Sequence, residues 1–305
     1  MSIFSFLSGP SPSLDPISDL QQLAAFPFMV NALEAGTVVA VTAGLVGWFM
    51  VLRRESFAGH TLSLMAFPGA TGALLIGLPA TTGYFLFCGL AALVIGRASS
   101  SGGRRSRSQQ SAVTGSVQAF GLGCGLLFLS LYHGVLADYE NLLFGSFLGI
   151  TRGQVLLLTI VSVLTLVLFA IVGRPLLFAS VDEGVARARG VPARALGMAF
   201  LLVLGLTVAA TAQITGVLLV FALLVAPAAT AQVITPRIGA SLALTLALGV
   251  FITWVGLGLA YFYNYPVGFF ITSVAFALYF LARVARAVID HPRLLRQRAH
   301  VAQAA

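Results

Sequence analysis

The sequence predicts an all-α, polytopic membrane protein. It has about nine transmembrane helices (eight is the alternative count), an external N-terminus and a cytoplasmic C-terminus. Three observations carry this. The 305 residues are 59% hydrophobic and only 9% charged, with mean hydropathy +1.00; a soluble chain of this size cannot hide so much apolar surface. Several apolar runs reach the ~20 residues that cross a bilayer core, whereas a transmembrane barrel would show alternating segments of about ten. The seventeen basic residues are all Arg. With the N-terminus outside and nine alternating spans, sixteen of the seventeen fall inside and only Arg152 outside, which sets the orientation by the positive-inside rule. The net charge of +8 therefore sets topology and does not mark a nucleic-acid surface. The expected surroundings are membrane lipid.

In chain order, residues 1–27 carry Asp15 and Asp19 but no basic residue, and read as an external tail. A surface helix over 14–25 and a poorly ordered tail both fit. A single membrane domain follows over 28–285. Its first span, 28–52, has Glu34 near its outer end and stops at Arg53-Arg54. The second, 57–78, holds His60, Ser63, Met65 and Pro68-Gly69. Residues 79–83 read as a turn and the third span, 84–95, is short. Residues 97–111 read as a Ser/Gly/Arg aqueous linker. The fourth span is 112–131; the fifth, 155–172, is closed by Arg174-Pro175. The sixth and seventh cover 195–212 and 214–234. Pro227 predicts a kink in the seventh that serves as a gating hinge. Thr235-Pro236-Arg237 breaks to the eighth, 240–263, and Tyr265-Pro266 turns into the ninth, 267–283. Residues 286–305 read as a basic cytoplasmic tail. Cys88 and Cys124 lie inside apolar runs and read as small core residues, not as a disulfide.

The chain carries no Walker A pattern, and no span holds the several central acids that ion-driven carriers use. Energy is therefore expected to arrive through contact with another chain. The contact candidate is the charged stretch 181–190, which cannot sit in lipid. Asp182 and Glu183 open it, Arg187 and Arg189 follow, and Gly190 stops it. Acid first and base last suits the helix dipole, with Ser180 as the expected N-cap and Pro192 just past the end. An ordinary capped loop helix has the same pattern.

Here the sequence resembles the permease subunits of zinc/manganese/iron ABC importers. The resemblance runs over about 28–283. It rests on "VLRRESFAGHTLSLMAFPGA" (51–70), "LLFGSFLGI" (142–150), "VDEGVARARGVP" (181–192), "ITGVLLVFALLVAPAATA" (214–231) and "YNYPVGFF" (263–270). It implies a non-catalytic, homodimeric permease with no permanently bound cofactor, working with a cytoplasmic ATPase subunit and an extracytoplasmic metal-binding protein. The transported substrate would be a divalent metal, zinc or manganese, and 181–190 would be the coupling helix to the ATPase. The second span departs from the family pattern. Gly-Asp-Ala-Leu-Ser-His is usual there, with Asp and His on one helix face; here His60 takes the Asp position and Leu64 the His position. Gln109 and Gln110 replace a usual Glu-Asp pair. An imidazole still suits zinc, but one His is not a site, so Ser63, Met65 or a second subunit's His60 would have to help. A histidine bonded to a neighbouring helix is the other reading. His133, Asp138 and Glu140 form an external cluster that serves as a first metal site, as a contact for the binding protein, or as a solvated loop. Two alternatives stand beside the metal importer: an importer permease for a metal chelate or other small solute, and an ion-coupled secondary carrier.

Overall fold

The computed structural model describes residues 25–98, 104–132, 145, 149–263 and 265–304, with backbone alone over 104–107 and 290–304. Among these residues there are helices and no strand. The helices are α1 (Pro27–Leu52), α2 (Ser56–Leu75), α3 (Ala80–Ala98), α4 (Arg104–Leu131), α5 (Arg152–Val181), α6 (Glu183–Ala188), α7 (Ala193–Ile234), α8 (Ile238–Tyr263) and α9 (Val267–Ala304). Pro27 occupies the first turn of α1, where its missing N–H has no intrahelical partner to lose. A capping box of Thr151 and Gln154 opens α5.

Seven of these helices are long and apolar enough to cross a membrane; α2 and the short α6 are the exceptions. One of the seven, α7, is two spans. Its 42 residues include Gly216 at φ 74°, ψ 161°, a region open essentially to glycine alone. The Arg53 guanidinium lies 5.1 Å from the Phe200 ring, and Gln232 Nε2 donates to the Trp48 carbonyl at 3.1 Å. A straight helix would separate Phe200 from Gln232 by about 48 Å, yet both touch the last turns of α1. The helix therefore doubles back at Gly216 into two antiparallel legs, 193–215 and 217–234.

The contacts between helices give the remaining directions. Cys88 donates to the Leu62 carbonyl and Gly83 lies against Gly69, so α2 and α3 are antiparallel. Thr61 bonds Gln118 while Gly72 meets Phe128, so α4 runs with α2. Asn31 donates to the Ile150 carbonyl, Thr42 bonds Ser162, and Arg53 donates to Ser180, so α5 runs with α1. Trp48 bonds Ser241 and Trp254 bonds Thr37, so α8 opposes α1. Gly256 meets Ile271, which sets α9 against α8. Counting both legs of α7, nine segments alternate in direction, as the sequence predicts. The arginine-bearing connections 53–55, 181–193 and 235–237 collect at one end of the bundle.

The core sits on α1, with 72% of its most apolar stretch buried, and on the α7 legs; α9, at 11%, is peripheral and offers its apolar face to lipid. Most buried hydroxyls are spent inside their own helices. Thr211, Thr245 and Thr253 each donate to the carbonyl four residues back, which lets polar atoms sit among apolar neighbours without a penalty.

Several expected boundaries are corrected. The third span is not short, because helix α3 takes in the expected turn residues 80–83. A Cβ on Gly83 would lie 1.9 Å from the Gly69 carbonyl oxygen, so this glycine serves a close helix crossing. Helix α4 begins eight residues before 112, inside the expected linker; α5 runs through Arg174-Pro175 to Val181; and α9 continues through the expected tail. Charge marks where lipid ends, but a helix satisfies its backbone in water equally well. The external tail lies outside the described residues up to 24.

Candidate functional site

Two places carry chemistry. The first is the face shared by α2 and the second leg of α7. Phe57, His60 and Leu64 form a partly exposed stripe at helical spacing on α2. Leu218, Phe221, Ala222, Val225 and Ala229 form a matching stripe on α7. The His60 ring meets the Phe221 ring edge-on, with centroids 4.7 Å apart. Its Nδ1 is shielded from solvent and has no hydrogen-bond partner. A shielded polar nitrogen without a partner is costly, which makes His60 the unsatisfied polar group of this face.

Ser63 and Met65 do not share that face. Ser63 is buried and donates to the Gly59 carbonyl at 3.0 Å. Met65 is 3% exposed, and its sulfur would lie 2.4 Å from a Cβ on Gly121 in α4. On the helical period Ser63 lies about 60° and Met65 about 140° round the axis from His60, so burial and contacts set Ser63 apart from the stripe and Met65 lies well round the helix from it. Among the described residues no three His, Cys, Asp or Glu side chains gather as a metal cluster. His133, Asp138 and Glu140 lie outside the described residues.

The second place is α6, at the arginine-rich end. Asp182 caps it, accepting from the Val185 N–H at 2.9 Å. The expected cap, Ser180, instead ends α5 and donates to the Leu176 carbonyl at 2.5 Å. An exposed Glu183–Arg187 pair one turn apart braces the helix at 2.5 Å. Arg189 is its C-cap, and Gly190 at φ 78° carries the left-handed exit. From Val181 to Gly190 only Ala186 is buried, set against Ala179 and Ala193. The rest faces solvent as a fixed, charged knob.

Pro227 does not interrupt its helix. Pro227 is buried inside the second leg, and the non-helical residue in α7 is Gly216. Proline removes one backbone bond and leaves the helix running, whereas reversing it takes a positive φ. A Gly inside the apolar run at "ITG" was the available signal. Sequence reasoning also passed over Glu55, the only acid between Glu34 and Asp138.

Fold and site together define a class: a polytopic helical membrane protein with an exposed, charged short helix at one end. The sequence profile of the ABC 3 transport family matches residues 25–286, and the chain belongs to that family. It is a multi-pass transport protein of the bacterial plasma membrane. It is 28% identical to the "Manganese transport system membrane protein MntC" of Halalkalibacterium halodurans over 261 residues, 86% of this chain and 88% of that one. It is 27% identical to the "Chelated iron transport system membrane protein YfeC" of Yersinia pestis, covering 80% and 81%. Its fold matches "PsaBC from Streptococcus pneumoniae in complex with Fab" with a TM-score of 0.76 and 27% identity, covering 87% of this chain and 94% of that one.

Proposed function

We propose that this chain is the permease of an importer for a divalent first-row metal, manganese or zinc. The arginine-rich end faces the cytoplasm, and an extracytoplasmic binding protein delivers substrate at the other end. A separate ATPase subunit seats on α6 through Asp182, Glu183, Arg187, Arg189 and Gly190. Two copies pair so that the His60 faces of α2 and α7 enclose the pathway. The observation that carries this reading is His60 itself, a partly exposed imidazole on the stripe that α2 shares with the second leg of α7, with Nδ1 lacking a hydrogen-bond partner. A neutral imidazole is a ligand for zinc and related metals. One donor per chain makes a site when a second copy supplies another, and Ser63 and Met65 stay outside that role as placed.

Relatives named for manganese and for chelated iron support a metal substrate. Family membership weighs against the ion-coupled carrier. The test is metal content and metal uptake in cells lacking the chain, complemented with wild type or His60→Ala. Wild type is expected to restore manganese or zinc uptake and His60→Ala to lose it at equal membrane abundance. Equal uptake with both would overturn the role of His60. Restoration only when the metal is supplied as a chelate would move the substrate to that class.

A further inference from the structure

The α1–α2 connection is built as a joint, and neither of the two places above includes it. Arg53 ends α1, and Arg54 takes a left-handed φ of 59°, unusual for a side chain of this size. The turn throws the Arg53 side chain inward, where only 13% of it is exposed. There it touches three elements. Nη2 pairs with Glu55 Oε1 at 3.0 Å, at the foot of α2. Nη1 donates to Ser180 Oγ at 3.3 Å, in the last turn of α5 before α6. The guanidinium also lies over the Phe200 ring and against Gly197, in the first turns of α7.

Glu55 is equally enclosed. Burial pushes its carboxyl above the ordinary range, the Arg53 charge and hydrogen bond pull it back, and Glu183 of α6 raises it further. The Glu183 charge at the start of α6 is thus felt at the foot of α2. His60 stands five residues beyond Glu55 on the same helix, about 7.5 Å along its axis. A charged pair held this far from water tolerates little displacement of either partner.

We propose that Arg53 and Glu55 are positioning residues that tie the root of α6 to α2, so that displacement of α6 is passed to the His60 face. The proposal rests on α6 being the ATPase contact. Arg53 suits the task because its planar fork engages Glu55, Ser180 and an aromatic ring at once, which a lysine cannot do. When α5 and α6 move, the foot of α2 must follow or the buried pair must open.

The test uses the full complex of this chain with its ATPase, and reads a structural response that does not depend on the cargo. Leu64→Cys, in a background with Cys88 and Cys124 replaced by Ala, reports exposure of the His60 stripe to a small methanethiosulfonate reagent. Labelling is compared with and without ATP and vanadate, and ATP hydrolysis is measured alongside. With Arg53 intact the labelling rate is expected to change with nucleotide. With Arg53→Met that change shrinks about ten-fold, the order of one lost coupling interaction, while the ATPase stays bound and hydrolysing. Arg53→Lys falls between. Phe200→Leu and Ser180→Ala each remove one contact of Arg53 and move the response the same way by less; they decide the matter if Arg53→Met fails to fold. An undiminished nucleotide response in Arg53→Lys, Phe200→Leu and Ser180→Ala overturns the proposal, as does no response in the intact complex. The α6 reading fails separately, if replacing Asp182, Glu183 and Arg187 with Ala leaves stimulation of hydrolysis untouched.

Discussion

Gly47 and Gly59 offer a paired test of how this bundle is held together. A Cβ on Gly47 of α1 would lie 2.0 Å from the carbonyl oxygen of Leu224, 2.8 Å from its carbonyl carbon and 3.0 Å from its Cα. A Cβ on Gly59 of α2 would lie 2.2 Å from the Met50 sulfur. The overlaps are nearly equal but the obstacles are not. At Gly47 the obstacle is backbone, so the second leg of α7 must retreat by more than about 1 Å, opening a seam packed to crystal-like density. At Gly59 it lies near the end of a flexible thioether, which can turn aside. Both Gly→Ala changes gain the same ~1 kcal/mol of helix propensity, so it cancels in the comparison. Overpacking against a fixed wall costs about 1–3 kcal/mol. Gly47→Ala is thus expected to be less stable than Gly59→Ala by roughly 2 kcal/mol, with Gly59→Ala close to wild type. Reversible unfolding of the detergent-solubilised protein by SDS measures the difference. Gly47→Ala should also impair transport, because Leu224 lies one turn from Phe221, whose ring faces His60. Equal stabilities, or a larger loss in Gly59→Ala, would refute the claim that helix backbones in direct contact set the geometry.

Gly216→Ala forces a Cβ into a glycine-only conformation and should cost about 1–3 kcal/mol, read as a lower unfolding midpoint in the same assay. His60→Asp replaces nitrogen with oxygen donors and should shift the uptake ratio from zinc towards manganese, measured by competition between the two metals. Asp182→Ala removes the cap of α6 at a cost of about 1 kcal/mol; it should reduce binding of the ATPase, seen by co-purification, while leaving the bundle intact. Glu55 gives a pH signature. Its carboxyl is raised in the folded chain, so its contribution to stability is complete below its ordinary value and is lost as pH rises through the raised one. Stability in that window should therefore fall with rising pH, and Glu55→Gln should flatten the curve; an unchanged slope in the variant would count against the assigned burial.

The sequence by itself determined the class and the alternating run of apolar helices. Apolar length and arginine placement are properties of lipid and water, and they act on each segment separately. That is why nine alternating helical segments were legible, and why the Asp182–Gly190 helix, whose caps and charges are local, could be read with only its N-cap misassigned. Helix ends were less legible, since charge reports the edge of the bilayer and α4, α5 and α9 cross it without unwinding. What only the tertiary structure decided is which side chains share a face. Ser63 and Met65 stand within five residues of His60 yet turn towards their own helix and α4. Arg53 looked like a stop signal and is packed among Glu55, Ser180 and Phe200. The reversal in α7 falls at Gly216, close to the expected break between the sixth and seventh spans, but that one backbone angle makes it is something only the structure shows. Contacts between residues more than a hundred positions apart depend on how the helices are rotated about their axes. That rotation is settled by glycines such as Gly47, Gly69 and Gly83 meeting a neighbouring backbone, which becomes visible only once both helices are in place.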